Sequence, residues 1–382
     1  MSFFQLSLIA AVALLGPLLA FPRKWHLPMV LGQLLAGIAI GRTGLGLVDA
    51  ADPTFTFVAD VGFALIMFVA GTHVPVRDRA IRSALGSGAL RAAIAALPAA
   101  AVGTLIAFVF GTGHAPLYIV LLASSSAALV LPIVDSLQLG GPKVLTTTAQ
   151  VAVADIACIV ALPLAVDPPN AARAAAGAAG VGACALLLFF VLRRLELSGA
   201  RRRVHILSEN RKFALELRIQ LALLFALSGL AVAGHVSIML AGFSFGLVVA
   251  AVGEPRRLAH QLFAVSDGFL GPVFFVWLGA SLDLGALAEN PSMVLLGICL
   301  GLGTLLVHGS LRLAGQPLPL AVLAASQLGI PVAAAAIGSQ RNLLQPGEAA
   351  ALILGAIITI GAAAVAGSRA ARTFAVQAVA GR

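Results

Sequence analysis

The chain has 382 residues, of which 60% are hydrophobic and only 10% charged, and its mean hydropathy is +1.04. A soluble domain carries about a quarter charged residues to wet its surface, so this composition excludes a water-soluble protein, and recurrent apolar runs of about 20 residues place the chain in a bilayer. The formal net charge of +9, from 24 Lys and Arg against 15 Asp and Glu, would suggest a nucleic-acid partner in a soluble chain; here no nucleic acid is expected, because the positive residues sort by membrane side.

Pro, Gly and charge clusters divide the chain into thirteen apolar segments, at about 3–21, 28–48, 56–75, 84–111, 115–136, 144–166, 171–192, 213–233, 236–253, 262–282, 291–313, 318–338 and 347–367. Each is expected to cross the hydrocarbon as a helix. Alternating strands of about ten residues are missing from the pattern, which excludes an outer-membrane barrel and predicts an all-α polytopic membrane protein. Segment 1 has no charged residue before it and no small-residue cleavage site after it, so it reads as a retained helix rather than a signal peptide. Cys158, Cys184 and Cys299 all fall inside apolar runs, with neither a disulfide framework nor metal-ligand spacing, and are expected to pack as small apolar residues.

The connections carry the orientation. Nineteen Lys and Arg fall in the odd-numbered connections and the tail, among them Arg77, Arg79, Arg82 and Arg201 to Arg203, whereas the even-numbered connections hold only Arg42, Arg173 and Arg341. The positive-inside rule then puts the odd connections and the carboxyl terminus in the cytoplasm and the amino terminus outside. Arg201, Arg202 and Arg203 are expected to meet anionic lipid.

An internal repeat follows from the same segmentation. Leu34-Leu35-Ala36-Gly37 leading to Gly41 in segment 2 is echoed by Met239-Leu240-Ala241-Gly242 leading to Gly246 in segment 9. Asp60-Val61-Gly62-Phe63 leading to Gly71 is echoed by Asp267-Gly268-Phe269 leading to Gly279, and Ala123-Ser124-Ser125 by Ala325-Ser326-Gln327. Segments 2–6 thus correspond to 9–13, seven spans apart, so the halves have opposite orientation, a mark of secondary transporters. The chain reads as a single membrane transport domain: first repeat about 28–166, linker helices about 171–233, second repeat about 236–367.

An ionisable side chain at bilayer depth is costly and persists mainly where it has work to do. Asp155 lies about eleven residues into segment 6, and the neighbouring positions on its helical face, including Thr148, Val151, Ala152 and Cys158, carry no cation. Burial without a fixed positive partner disfavours the bare carboxylate, so a proton and a metal cation can compete for it. Ser124-Ser125-Ser126 with Pro132, and Ser326-Gln327 with Pro331, interrupt segments 5 and 12 at corresponding places of the two repeats. Such pairs are expected to be broken helices whose unwound carbonyls and hydroxyls face an ion site; ordinary kinks are the alternative. Asp60 and Asp267 lie near the starts of segments 3 and 10, where capping or salt bridging is the expected role. Glu216 and Arg218 near the start of segment 8 read as a cytoplasmic-side ion pair or snorkelling groups, and His308 in segment 11 could titrate near neutral pH, although a lone helical His is commonly structural.

The order of these motifs resembles the cation:proton antiporter-2 (Kef-type) superfamily over essentially all thirteen spans. The matching stretches are Val30-Leu31-Gly32-Gln33-Leu34-Leu35-Ala36-Gly37 with Gly44-Leu45; Asp60 to Gly71; Ser124-Ser125-Ser126; Ala154-Asp155-Ile156-Ala157; Phe274-Phe275-Val276 with Gly279-Ala280-Ser281-Leu282-Asp283-Leu284; and Ser326-Gln327. The resemblance implies two inverted five-helix repeats with crossed broken helices, a homodimer, and elevator-type exchange of sodium or potassium for protons, with no cofactor beyond the transported ions. It implies ion and proton binding at Asp155, Ser125, Ser126 and Gln327, with Thr148, Ala154, Asp60, Asp267 and His308 as supporting positions, and a monovalent cation on Asp155. Three places depart from the family pattern: Ala154 stands where an Asn, Asp or Gln is usual, segment 11 has no Lys or Arg around Gly303 and Thr304, and Ile330-Pro331 replaces the acidic position after Ser326-Gln327. The nucleotide-binding gating domain of Kef-type channels is not expected after segment 13. One buried carboxylate without a Lys partner predicts one cation exchanged for one proton, hence electroneutral turnover. A channel-like uniport pathway and a transporter of a small organic solute are the alternatives on the same fold; no nucleophile–base pair suggests an enzyme.

Overall fold

The computed structural model describes residues 1–21, 29–74, 76–199, 214–234, 236–253, 261–262 and 264–374. In chain order its α-helices are α1 (Phe3–Val12), α2 (Leu15–Ala20), α3 (Met29–Ile40), α4 (Pro53–Thr72), α5 (Arg79–Phe110), α6 (Ala115–Ala123), α7 (Ala127–Ser136), α8 (Pro142–Val166), α9 (Ala171–Leu197), α10 (Leu215–Ala233), α11 (Ile238–Val252), α12 (Gly271–Ser281), α13 (Leu284–Glu289), α14 (Pro291–Gly309), α15 (Leu318–Ala324), α16 (Gly329–Gln340) and α17 (Glu348–Phe374). A π-turn over Ser266–Leu270 precedes α12, and a 3₁₀ turn over Ser310–Ala314 follows α14. The protein is all-helical, and among the described residues ten helical stretches are long and apolar enough to cross a membrane.

All thirteen apolar segments contain helix, but two are shorter than the expected crossing. Segment 2 is helical only over Met29–Ile40 and segment 9 over Ile238–Val252, whereas segment 10 is helical at Gln261, Leu262, Ala264 and Val265 and runs through the π-turn into Gly271–Ser281. Segment 2 stops early because the chain folds back on itself: the amides of Leu45 and Leu47 return to the carbonyls of Ala39 and Ile40, around Gly46 at φ +63°. Apolarity continues through that turn, which is why the hydropathy pattern overran it. In the other direction, α9 continues to Leu197, past the expected end of segment 7 at about residue 192.

Contacts divide the described residues into two compact units. The first draws on Met1–Phe21, Pro28–Arg77 and Pro169–Ser281, the second on Asp78–Pro168 and Leu282–Arg382.

In the first unit the glycine echoes have a packing reason. A Cβ on Gly37 of α3 would lie 2.1 Å from the Val276 carbonyl of α12, and one on Gly279 of α12 would lie 2.2 Å from the Leu34 carbonyl of α3. The equivalent pair, α4 and α11, meets the same way: Gly71 faces the Phe243 carbonyl at 2.4 Å and Gly246 the Phe68 carbonyl at 2.2 Å. Backbones approach this closely only where no Cβ intervenes, which is how helices pack when lipid removes the hydrophobic drive between them. The first helix of one repeat therefore packs on the second helix of the other, and the reverse, as two inverted repeats require. Aromatic rings fill the flanks of both seams: Phe63 stacks on Phe274 at 4.6 Å between centroids, and Phe68 on Phe245 at 5.2 Å.

In the second unit the repeat shows instead as equivalent pairs, one within each half. Helix α5 packs on α8, with Gly88 against the backbone of Ala149 and Gln150, and α14 packs on α17, with Gly297 and Gly301 against Ala351 and Gly355. Between them run two interrupted spans, α6–α7 and α15–α16.

Candidate functional site

The site is built entirely from the second unit. Its two interruptions form for the same local reason. Serine hydroxyls compete with the helix for backbone groups, and at each break a serine bonds backwards to close the preceding half-helix: Ser124 Oγ donates to Leu121 O at 2.8 Å and Ser326 Oγ to Leu323 O at 2.9 Å. Ser124 then takes an extended conformation, with ψ at 155°, and the chain stays unwound through Ser126 before α7 begins. In the second break the interval runs from Ala325 through Ser326 and Gln327 to Leu328. Pro331 lies in the first turn of α16, where its missing N–H costs nothing, so it permits the restart rather than kinking the helix. Pro132 sits inside α7 and removes one internal hydrogen bond there.

The two breaks are joined. The Ser126 amide donates to Ser326 O at 2.9 Å, and Ser125 Oγ donates to Ala324 O at 2.6 Å. From the second break Gln327 reaches back to the first: its Nε2 donates to Leu121 O, and lies 3.4 Å from Ser124 O and 3.3 Å from Thr304 Oγ1 of α14. Its backbone amide donates to Thr359 Oγ1 of α17 at 3.2 Å. The ring of His308, fully buried in α14, lies with Nε2 3.2 Å from Ser124 O. The last carbonyls of α6, which have no partner within their own helix, are thus met by side-chain donors from two other elements.

Asp155 is the fourteenth of the 25 residues of α8, near the middle of the span, and is only 7% exposed. Its Oδ2 accepts the Ala127 amide at 2.9 Å. Ala127 is the first residue of α7, so the carboxylate sits at the partly positive amino end of a half-helix, which favours negative charge there. The charge that occupies this end is therefore the protein's own. The break that leads into Ala127 carries the hydroxyls of Ser125 and Ser126 and unwound carbonyls, and neutral oxygens with one carboxylate are a donor set that suits a hard monovalent cation or a proton.

Of the other positions singled out from the sequence, Thr148 is buried on α8, and its hydroxyl returns to Val144 O at 3.0 Å. Ala154 is buried beside Asp155 and offers no polar atom. Asp60 and Asp267 belong to the first unit, Asp60 within α4 and Asp267 in the π-turn, where Ser266 Oγ donates to its carboxylate at 3.2 Å. Glu216 and Arg218 also belong to the first unit, at the start of α10. Arg201, Arg202 and Arg203 lie outside the described residues.

Sequence reasoning missed Thr304 and Thr359, both buried and both bonded to Gln327. A threonine in an apolar helix carries little signal of its own. It also missed a second polar cluster: Glu348, fully buried at the start of α17, accepts Tyr118 Oη at 2.6 Å and pairs with His114 Nδ1 at 2.7 Å, while its other oxygen accepts the Gln345 amide at 2.8 Å. An acidic residue at the edge of an apolar run was the available clue.

Comparison with known proteins agrees with this architecture. The family model described as "Sodium/hydrogen exchanger, transmembrane" matches residues 10–368. The chain is 25% identical over 297 residues to the Na(+)/H(+) antiporter NhaS5 of Synechocystis, covering 77% of this chain and 42% of that protein. It is 29% identical over 308 residues to the glutathione-regulated potassium-efflux system protein KefC of Salmonella newport, covering 75% of this chain and 46% of that one. YjbQ of Bacillus subtilis is 26% identical over 382 residues, 93% of this chain and 61% of YjbQ. The chain thus spans about half the length of the curated relatives it matches. Among solved structures, the sodium proton antiporter MjNhaP1 from Methanocaldococcus jannaschii has the same fold, with a TM-score of 0.64, 18% identity, and coverage of 96% of this chain and 97% of that one.

Proposed function

The chain belongs to the sodium/hydrogen exchanger family, and from that premise we propose that it is a secondary active antiporter exchanging a monovalent cation, sodium or potassium, for a proton, with Asp155 as the carboxylate that both ions use. The observation that carries the reading is the Asp155 carboxylate on the α7 amino end beside two joined helix breaks. A carboxylate there can lose its proton without standing as an unsolvated charge, because the half-helix stabilises it. A cation can then take the proton's place with Ser125, Ser126 and the unwound backbone as further oxygen ligands.

With one carboxylate carrying one ion at a time, exchange is one for one and electroneutral. Alternating access is of the elevator type, the second unit carrying the loaded site, and the working form is a homodimer in the bacterial inner membrane with the amino terminus outside and the carboxyl terminus inside. The charge count of the connections supports that orientation. NhaS5 bears a sodium/proton name and KefC a potassium name, so both cations belong in the test.

That test is antiport in proteoliposomes with a trapped pH dye, each cation added in turn. The reading expects proton movement opposite to a sodium or potassium pulse. Current that follows the cation gradient without proton movement, or no response to either ion, would overturn it.

A further inference from the structure

His308 occupies an unusual position for an ionisable group. It is fully buried in α14, and Nε2 lies 3.2 Å from the carbonyl oxygen of Ser124 in the first helix break. A carbonyl oxygen only accepts, so Nε2 carries the hydrogen, and in the neutral ring the lone pair then rests on Nδ1. Nδ1 is buried, and among the described residues it has no hydrogen-bonding partner. A proton added to Nδ1 would put a charge on a fully buried ring, an arrangement that burial strongly disfavours.

We infer that His308 is a neutral positioning residue, an Nε2–H donor that works with the Gln327 amide to fix the free carbonyl end of α6, so that the crossing is held without a second charge beside Asp155. The inference rests on the proposed exchange reading and deepens it. The carboxyl end of a half-helix is partly negative, and a cation would satisfy it by charge. Here two neutral donors do so by hydrogen bonding: Gln327 Nε2 to Leu121 O and Ser124 O, His308 Nε2 to Ser124 O. The Ser124 carbonyl opens the unwound stretch that ends at Ala127, whose amide binds Asp155. Only Ser125 and Ser126 therefore separate the carbonyl that His308 holds from the amide that holds the carboxylate, and loosening one loosens the other.

The direct test is ¹⁵N NMR of the full chain in lipid with labelled histidine, the His308 signals being assigned by their loss in His308→Gln. The proposal expects one protonated and one bare ring nitrogen, with Nε2 protonated, throughout the pH range in which exchange runs. An imidazolium signal, or the opposite tautomer, would overturn it. This readout does not depend on transport, so failure of the antiport reading and failure of this one are distinguishable.

Transport supplies the second arm. His308→Gln keeps a neutral donor and should retain the wild-type pH profile with a cation KM within a few-fold of wild type. His308→Ala should raise KM by about tenfold, the loss of one hydrogen-bonding group, with less change in kcat. A shifted pH profile in His308→Gln would mark a titrating role instead, and equal KM in Gln, Ala and wild type would remove the positioning role. If His308→Ala fails to fold, the NMR result on the wild type still decides.

Discussion

Gln327 and His308 both donate to the Ser124 carbonyl, and this sharing predicts that their removal is not additive. Gln327→Leu keeps most of the side-chain volume and deletes Nε2. The bond to Leu121 O is lost, together with two longer, weaker hydrogen bonds, to Ser124 O at 3.4 Å and to Thr304 Oγ1 at 3.3 Å. Leu121 O is left with the Ser124 amide at 3.0 Å and hydroxyl at 2.8 Å, and Ser124 O with His308 at 3.2 Å. No acceptor is orphaned, so the cost is the net worth of about one bond, roughly 1 kcal/mol. His308→Leu alone leaves Ser124 O with Gln327, for a similar cost. In the double variant Ser124 O loses both donors while remaining buried, and an unsatisfied buried carbonyl adds about 1–3 kcal/mol. Unfolding of the purified protein and its three variants in one detergent, treated as a double-mutant cycle, should therefore show about 1–2 kcal/mol of coupling. Additivity within roughly 0.5 kcal/mol would refute the shared-acceptor account.

Further outcomes follow from other contacts. Ser125→Ala deletes the 2.6 Å bond to Ala324 O and should weaken apparent cation affinity by about 1 kcal/mol, read as a severalfold higher KM at a nearly unchanged maximal rate. Gly37→Ala forces a Cβ to within 2.1 Å of the Val276 carbonyl and should destabilise by about 1–3 kcal/mol through separation of α3 and α12; Gly182→Ala in α9, with nothing within 4 Å, should be neutral or stabilise by up to about 1 kcal/mol in the same thermal assay. The His114 ring, ahead of α6, has its pKa raised, chiefly by the hydrogen bond to Glu348, with burial opposing. A raised folded-state pKa gives stability that is complete below the unfolded value of about 6.5 and is lost as pH rises through the folded value. Thermal stability of the wild type should therefore exceed that of Glu348→Gln most at acidic pH, and a gap that widens with rising pH would contradict the pairing.

Much of this arrangement was legible before any coordinate. Asp155 stood out because no other carboxylate lies as deep in an apolar run, and the two serine-containing breaks because they recur seven spans apart. The repeat glycines were legible as echoes, but their partners were not: Gly37 meets α12, not the equivalent helix α11, and nothing in a glycine's own neighbourhood names the backbone it will touch. The same holds for the donors at the crossing. His308 and Ser124 are 184 positions apart, and Gln327 and Leu121 are 206; contacts of that range leave no periodicity to read. Segment 11 stood out around Thr304 only for lacking a charged residue, yet Thr304 meets the Gln327 amide. Span lengths failed where apolar composition runs through a turn, as after Ile40.

Charge balance gives a further check on the mechanism. If Asp155 alone carries charge at the crossing, the loaded site is neutral with either ion, and a clamped membrane potential should leave the equilibrium exchange ratio unchanged. An uncompensated charge would shift it by about 2.3 kcal/mol per 100 mV.

The most direct measurement is cation-driven proton flux by Asp155→Asn reconstituted beside the wild type at equal, correctly inserted density. The substitution preserves size and leaves an oxygen able to accept the Ala127 amide, now held at 2.9 Å by the carboxylate, so the fold should survive while the titratable group is gone. Flux should vanish for both sodium and potassium in a protein whose thermal unfolding remains cooperative. Exchange persisting at more than a small fraction of the wild-type rate would contradict the assignment of Asp155 as the shared carrier.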